Sequence, residues 1–160
     1  MDYQQQALAV MNPVELVVAL YDGMVRFLHG AIASIEAGDV EGRRQSIGYT
    51  LDILTYLQAR LCPDLGGQSA AALSEFYAAM YSQCVRASRD ASIQLCEQTI
   101  ANIKNVRDAW RTAAETENSA TEEARKLQMN QHLRESRQAS AAMTLLPDGM
   151  NTPVSNRWSA

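Results

Sequence analysis

The stretch from Asn12 to Leu28, NPVELVVALYDGMVRFL, constrains this chain more than any other. It opens on a helix start signal. Asn12 as N-cap can accept a bond from an unpaired backbone N–H, and Pro13 suits the first helical position, where its missing N–H is not needed. Glu15 stands three residues after Asn12, the place of a capping-box carboxylate, and its charge favours the N-terminal end of the helix dipole. The residues beyond this start are too apolar for one buried stripe. Val17, Leu20, Tyr21, Met24 and Leu28 make one face at 3-and-4 spacing, while Leu16, Val18, Val25 and Phe27 lie on other sides. A helix apolar most of the way round is either central in a bundle or holds a face open for a partner. This one reads as doing both.

The spacing predicts that this first helix runs from Pro13 to about Glu36 and stops at Ala37-Gly38, with Gly38 in the left-handed C′ conformation. Asp39 then caps a second helix, about Val40 to Leu61, with Ile47, Leu51, Leu54, Leu57 and Leu61 in one stripe. Tyr49, Ile53 and Tyr56 form a second stripe, more apolar surface than one core contact needs. Cys62 to Gly67 is the clearest break, because Pro63 disfavours helix at the residue before it and the Gly pair stops the element. A third helix is expected from Gln68 or Ser69 to about Ala87, with Leu73, Phe76, Tyr77, Met80, Cys84 and Val85 inside. Ser88 to Asp90 reads as a loop, with Asp90 capping a fourth helix that ends near Ala114. There Ile93, Cys96, Ile100, Ile103 and Trp110 lie close to a heptad seam.

Short loops between such helices imply antiparallel neighbours. The expected fold is therefore all-α, an antiparallel up-and-down four-helix bundle, left-handed in twist, over residues 12–115. A leader arm, 1–11, precedes it. The tail, 116–160, reads as weakly helical or disordered: a short fifth helix from about Thr121 to Ala142, a flexible end, or a segment folded back into an empty groove.

Several function classes find no support. A net charge of −4 over 160 residues and a pI of about 5.2 leave no basic footprint for nucleic acid. No run of 18 consecutive apolar residues and no signal-peptide pattern is present, so neither membrane insertion nor a secretory signal is expected. Cys62, Cys84 and Cys96 lack CxxC spacing and read as reduced thiols. A di-metal bundle needs Glu-x-x-His pairs, and neither His29 nor His132 has a Glu three residues before it. No catalytic group, metal site or cofactor is expected. Asp22 reads as a surface pair with Arg26 at i, i+4. Two features are left over. Gly23 costs about 1 kcal/mol against Ala in a helix interior, so a close neighbour should need its missing side chain. Tyr21, Tyr49, Tyr56, Tyr77 and Tyr81 supply bodies that bury well and hydroxyls that want partners, which favours interfaces and groove rims.

These residues carry a resemblance. Asn12-Pro13, Leu16-Val17, Leu20-Tyr21-Asp22-Gly23 and Arg26-Phe27-Leu28 resemble the opening helix of the FliS family, the flagellin-specific export chaperones of bacteria. Tyr3, ten residues before Pro13, matches the family's leader. Gly66-Gly67 with Leu73, Tyr77 and Met80 matches its loop and third helix, and Arg107-Asp108-Ala109-Trp110 the end of its last helix. The resemblance covers residues 3 to 112. It implies a cytosolic helical bundle that binds the disordered C-terminal segment of flagellin in hydrophobic grooves. Binding blocks premature polymerisation and assists type III flagellar export, including docking to the membrane gate component of the export apparatus. Free of client, the chain is expected as a monomer or weak dimer. The implied partner-binding residues are Tyr3 in the leader, Leu20, Tyr21 and Gly23 on the first helix, and Tyr77 and Met80 on the third. Apart from the resemblance, the second apolar stripe of Tyr49, Ile53 and Tyr56 is expected to add a groove wall on the second helix. The alternative is a generic helical-bundle adaptor for a different amphipathic client.

Overall fold

A computed structural model describes residues 13–144, and these form four helices: α1 Pro13–Glu36, α2 Val40–Ala59, α3 Pro63–Asp90 and α4 Ile93–Thr144. Among the described residues there is no strand. Asn12, Tyr3 and the rest of 1–12 lie outside the described residues, as do residues 145–160.

The turn between α1 and α2 is built from two adjacent capping devices. Gly38, at φ +70°, is the left-handed residue: its N–H bonds the Ile35 carbonyl at 3.1 Å and the Asp39 N–H bonds the Ser34 carbonyl at 2.8 Å. That is the Schellman pattern, and it consumes carbonyls that the helix end leaves unpaired. Asp39 then turns N-cap for α2, its carboxylate accepting from the Gly42 N–H at 2.9 Å. The Gly pair acts further on as a kink rather than a stop. α3 already begins at Pro63, and Gly67, at φ 51° and ψ −131°, interrupts it before the longer run that the hydrophobic spacing predicts.

Two further boundaries differ from the sequence expectation. Asp90 does not cap α4. α3 stays helical through it, and its carboxylate takes the Arg89 guanidinium at 2.7 Å. Ala91 supplies the left-handed residue, and the Ser92 hydroxyl accepts from the Leu95 N–H at 3.2 Å. In the sequence Ser92 is overshadowed by a more acidic candidate two residues before it. The second difference is larger: α4 does not end near Ala114 but runs on to Thr144. The reason is local. Residues 115–144 hold no glycine or proline and are rich in Ala, Glu, Gln and Arg, so once nucleated the helix meets nothing that ends it.

The chain divides into two compact units, residues 1–115 and 116–160. In the second, the described helix exposes Leu127, Met129, Leu133 and Met143 and carries an i, i+4 pair, Glu122 with Lys126 at 3.2 Å.

The first unit holds the core. Tyr21, Met24, Leu28 and Ala31 of α1 meet Ile47, Leu54 and Leu57 of α2, Tyr77, Met80, Cys84 and Ala87 of α3, and Cys96, Ile100 and Ile103 of α4. The relative directions of the first three helices can be read from their contacts. Gly23 faces Ile53, Phe27 packs on Tyr49 at 4.9 Å, and Gly30 faces Ser46, so α1 and α2 run oppositely. Gln58 bonds Ser74 at 2.6 Å near one end of the α2–α3 contact, while Ile47 and Leu51 meet Val85 and Ser88 near the other. The buried threonine hydroxyls are satisfied within their own helices, Thr50 to the Ser46 carbonyl and Thr99 to the Leu95 carbonyl.

By length and composition α1 could cross a membrane, which the count of consecutive apolar residues does not show; about a third of its most apolar window is buried. The buried part, Tyr21 to Ala31, is the centre of the bundle, and the first two turns, including Leu16, Val17, Val18 and Leu20, are only half-buried. Asp22 does not pair with Arg26. It receives Arg107 at 2.7 Å and Arg111 at 3.2 Å from α4, and Asp108 also takes Arg107, at 3.2 Å. Arg26 lies over the Phe27 ring instead, at 5.5 Å. A partner 85 residues away lies beyond what i, i+4 spacing can see.

Candidate functional site

Two apolar cavities meet at one side chain. The first, about 400 Å³, opens where the start of α1 passes the end of α2. Leu16, Val17 and Leu20 come from α1, Tyr56, Leu57, Arg60 and Leu61 from α2 and its end, Leu73 and Tyr77 from α3, and Trp110 from α4. The second, about 490 Å³, lies between α2 and α3, lined by Leu54, Thr55, Gln58, Ala59, Tyr77, Ala78 and Tyr81. Tyr77 is a wall of both. Helical spacing explains how α2 serves two grooves: Tyr56, Leu57, Arg60 and Leu61 turn to one side, and Thr55, Gln58 and Ala59 to the other.

Behind the first cavity a hydrogen-bonded aromatic cluster fixes the walls. The Tyr21 hydroxyl donates to the Tyr77 oxygen at 2.9 Å, and the rings are tilted at 6.4 Å between centroids. Trp110 of α4 lines the same cavity as Tyr77. Burial pushes the Tyr21 phenol well above its ordinary range, with the Tyr77 hydroxyl adding to the effect, and burial raises the Tyr77 phenol too. Both therefore stay neutral, as hydrogen-bonding hydroxyls rather than acids. Burial likewise pushes the Cys84 thiol up to about 12 and raises Cys96, so these two thiols are held away from the reactive thiolate form. Among the described residues no group of three His, Cys, Asp or Glu side chains is placed to hold a metal ion.

The sequence-predicted residues are distributed unevenly. Leu20, Tyr56 and Tyr77 meet at the first cavity. Tyr21 is fully buried directly behind it, and Met80 is buried in the core. Tyr49, 44% exposed, and Ile53 lie farther along α2, over Phe27 and Gly23, and line neither cavity. Tyr3 lies outside the described residues. Helical spacing alone makes Leu61, Leu73 and Trp110 core stripes and gives Arg60 no distinction; only the crossing of four helices shows that they share an opening.

Gly23 is buried, but a Cβ built on it would meet only the Ile53 Cδ1, at 3.5 Å, an ordinary contact. The bundle itself does not need this glycine. Gly23→Ala is accordingly expected to fold and to gain about 0.5–1 kcal/mol from helix propensity, read as a higher urea midpoint. A loss of stability would show that the helix crossing is tighter than the Ile53 contact indicates.

Four helices around a tyrosine–tryptophan cluster, with open apolar grooves along them, define a helical bundle suited to holding apolar segments. The chain belongs to the FliS family: the family described as "Flagellar protein FliS" matches residues 1–117. It is similar to the "Flagellar secretion chaperone FliS" of Bacillus subtilis (strain 168), at 26% identity over 115 residues, 72% of this chain and 85% of that protein. The protein of the same description from Salmonella typhimurium (strain LT2) is 28% identical over 108 residues, 67% of this chain and 80% of its own. That of Vibrio cholerae serotype O1 is 26% identical over 103 residues, 64% of this chain and 76% of its own. The family is one of chaperones of flagellar secretion, and residues 118–160 extend beyond its match.

Proposed function

We propose that this chain is a cytosolic export chaperone for flagellin, binding the disordered C-terminal segment of the newly made subunit. The observation that carries the reading is the pair of apolar cavities joined at Tyr77, on a member of a flagellar secretion chaperone family. An amphipathic segment polymerises through its apolar stripe, and covering that stripe removes the polymerising surface. A disordered segment must also order as it binds, an entropic cost that only a large apolar interface offsets. The half-buried first turns of α1 and the two cavities supply such a surface, in the helix-in-groove mode. Many moderate contacts also suit a client that must be released, here to the type III flagellar export apparatus and its membrane gate component.

Isothermal titration calorimetry of the full chain with a peptide of roughly 40 residues from the flagellin C-terminus should give a one-to-one complex with a clearly negative heat-capacity change, the signature of apolar burial coupled to folding. No heat at several temperatures, together with no co-elution with full-length flagellin, would leave the bundle standing and sink this reading in favour of an adaptor for another amphipathic client.

A further inference from the structure

The first cavity is apolar with one exception. Among the described residues its lining holds one charged side chain, Arg60, and no carboxylate. Arg60 is the C-cap residue of α2 and is exposed. Its guanidinium lies over the Tyr56 ring, 4.2 Å from the centroid, and makes no ion pair with a described residue. Lying over an aromatic face restricts a long side chain that would otherwise wander in solvent, and the N–H donors of this guanidinium have no ion-pair partner among the described residues. A planar fork held at the rim of an apolar groove is matched geometrically to a carboxylate. The groove between α1 and α4 has the opposite character, with Glu15, Asp22 and Glu115 on its lining against one cation, Arg111, among the described residues. The cation at the first cavity is thus a local feature of an acidic chain.

We propose that Arg60 is a specificity-determining residue of the client groove. It takes a carboxylate of the bound segment adjoining the apolar side chains that fill the cavity, and so fixes the register in which the segment lies. The proposal rests on the function proposed above. The carboxylate comes either from an Asp or Glu side chain or from the chain terminus of the client, and the chemistry at Arg60 is the same in both cases.

The test is titration of full-length wild type, Arg60→Gln and Arg60→Lys with the flagellin C-terminal peptide at low and high salt. Arg60→Gln should bind about five- to tenfold more weakly at low salt and lose most of the salt dependence shown by wild type. Arg60→Lys, which keeps the charge and loses the fork, should be intermediate and keep the salt dependence. Two altered peptides locate the carboxylate, one amidated at its C-terminus and one with its Asp and Glu changed to Asn and Gln. The form that closes the gap between wild type and Arg60→Gln identifies the source, and a gap that neither form narrows overturns the proposal. So does a loss of affinity shared equally by both variants with the salt dependence intact, since Arg60 would then only pack on Tyr56. Wild type that captures no peptide overturns the proposed function along with this inference. Wild type that binds while Arg60→Gln binds identically overturns this inference alone.

Discussion

Truncating Tyr21 to alanine should destabilise the bundle by about 3–5 kcal/mol, the cost of removing a fully buried aromatic side chain from a core that cannot collapse around the gap. The informative companion is Tyr21→Phe, which keeps the ring and removes only the hydroxyl. That hydroxyl donates to Tyr77 at 2.9 Å, so its loss strands a polar group on another helix. We expect a cost of about 1–3 kcal/mol, since a buried polar group left without a partner loses its hydration and gains nothing in return. Adding Tyr77→Phe should recover part of it, because the group stranded on α3 is then gone as well. Urea unfolding monitored by far-UV circular dichroism reads all three. A Tyr21→Phe variant as stable as wild type would mean that the cluster admits water and is no structural element.

The second large effect is with pH. Cys84, Cys96, Tyr21 and Tyr77 are neutral in the folded chain, and burial raises all four above their ordinary values of 9.0 for the thiols and 10.0 for the phenols. Above those values the unfolded chain releases protons that the folded chain keeps, so stability falls as pH rises. Below about pH 9 the contribution is complete. From there each thiol should cost up to about 1.4 kcal/mol per pH unit until its folded form also ionises, and above about pH 10 each tyrosine adds a similar slope. The urea midpoint should therefore be flat through neutral pH, bend downward near pH 9 and drop steeply beyond pH 10. Cys84→Val combined with Cys96→Val should move the first bend upward by about one unit, the difference between the two ordinary values, without altering the steeper one. A midpoint unchanged to pH 11 would show that these groups are reached by solvent in the folded state.

Legible in the sequence is whatever depends on near neighbours in the chain. The start of α1 at Pro13, its end at Gly38 and the Asp39 cap are set by residues within one turn of each other. The core stripes of Leu28, Ile47, Leu54, Met80 and Ile100 come from helical period. Harder to see is anything set by a crossing. Asp22 has a suitable partner four residues on and uses two others on α4, because the α1–α4 contact brings Arg107 and Arg111 closer to its carboxylate than Arg26. Tyr77 and Tyr49 look alike in the sequence, each on an apolar stripe. One is buried at the meeting of three helices and the other is nearly half exposed, and only the packing separates them. The continuation of α4 past Ala114 is hidden for a different reason. A loss of large apolar residues reads as the end of structure, yet helix propensity does not depend on burial, and nothing in residues 115–144 breaks the hydrogen-bond ladder.

Under the proposed function, Tyr77, the shared wall of both cavities, has a kinetic consequence. A chain seated in one of them holds its next residues beside the other, at an effective concentration in the millimolar range for a short flexible span. Two weak engagements then act as one strong one, and either can open and reseal without loss of the chain. Removal does not have to lift the whole segment at once. A pull on one end detaches the cavities in sequence, each step crossing a barrier that neither the full affinity nor its residence time would suggest.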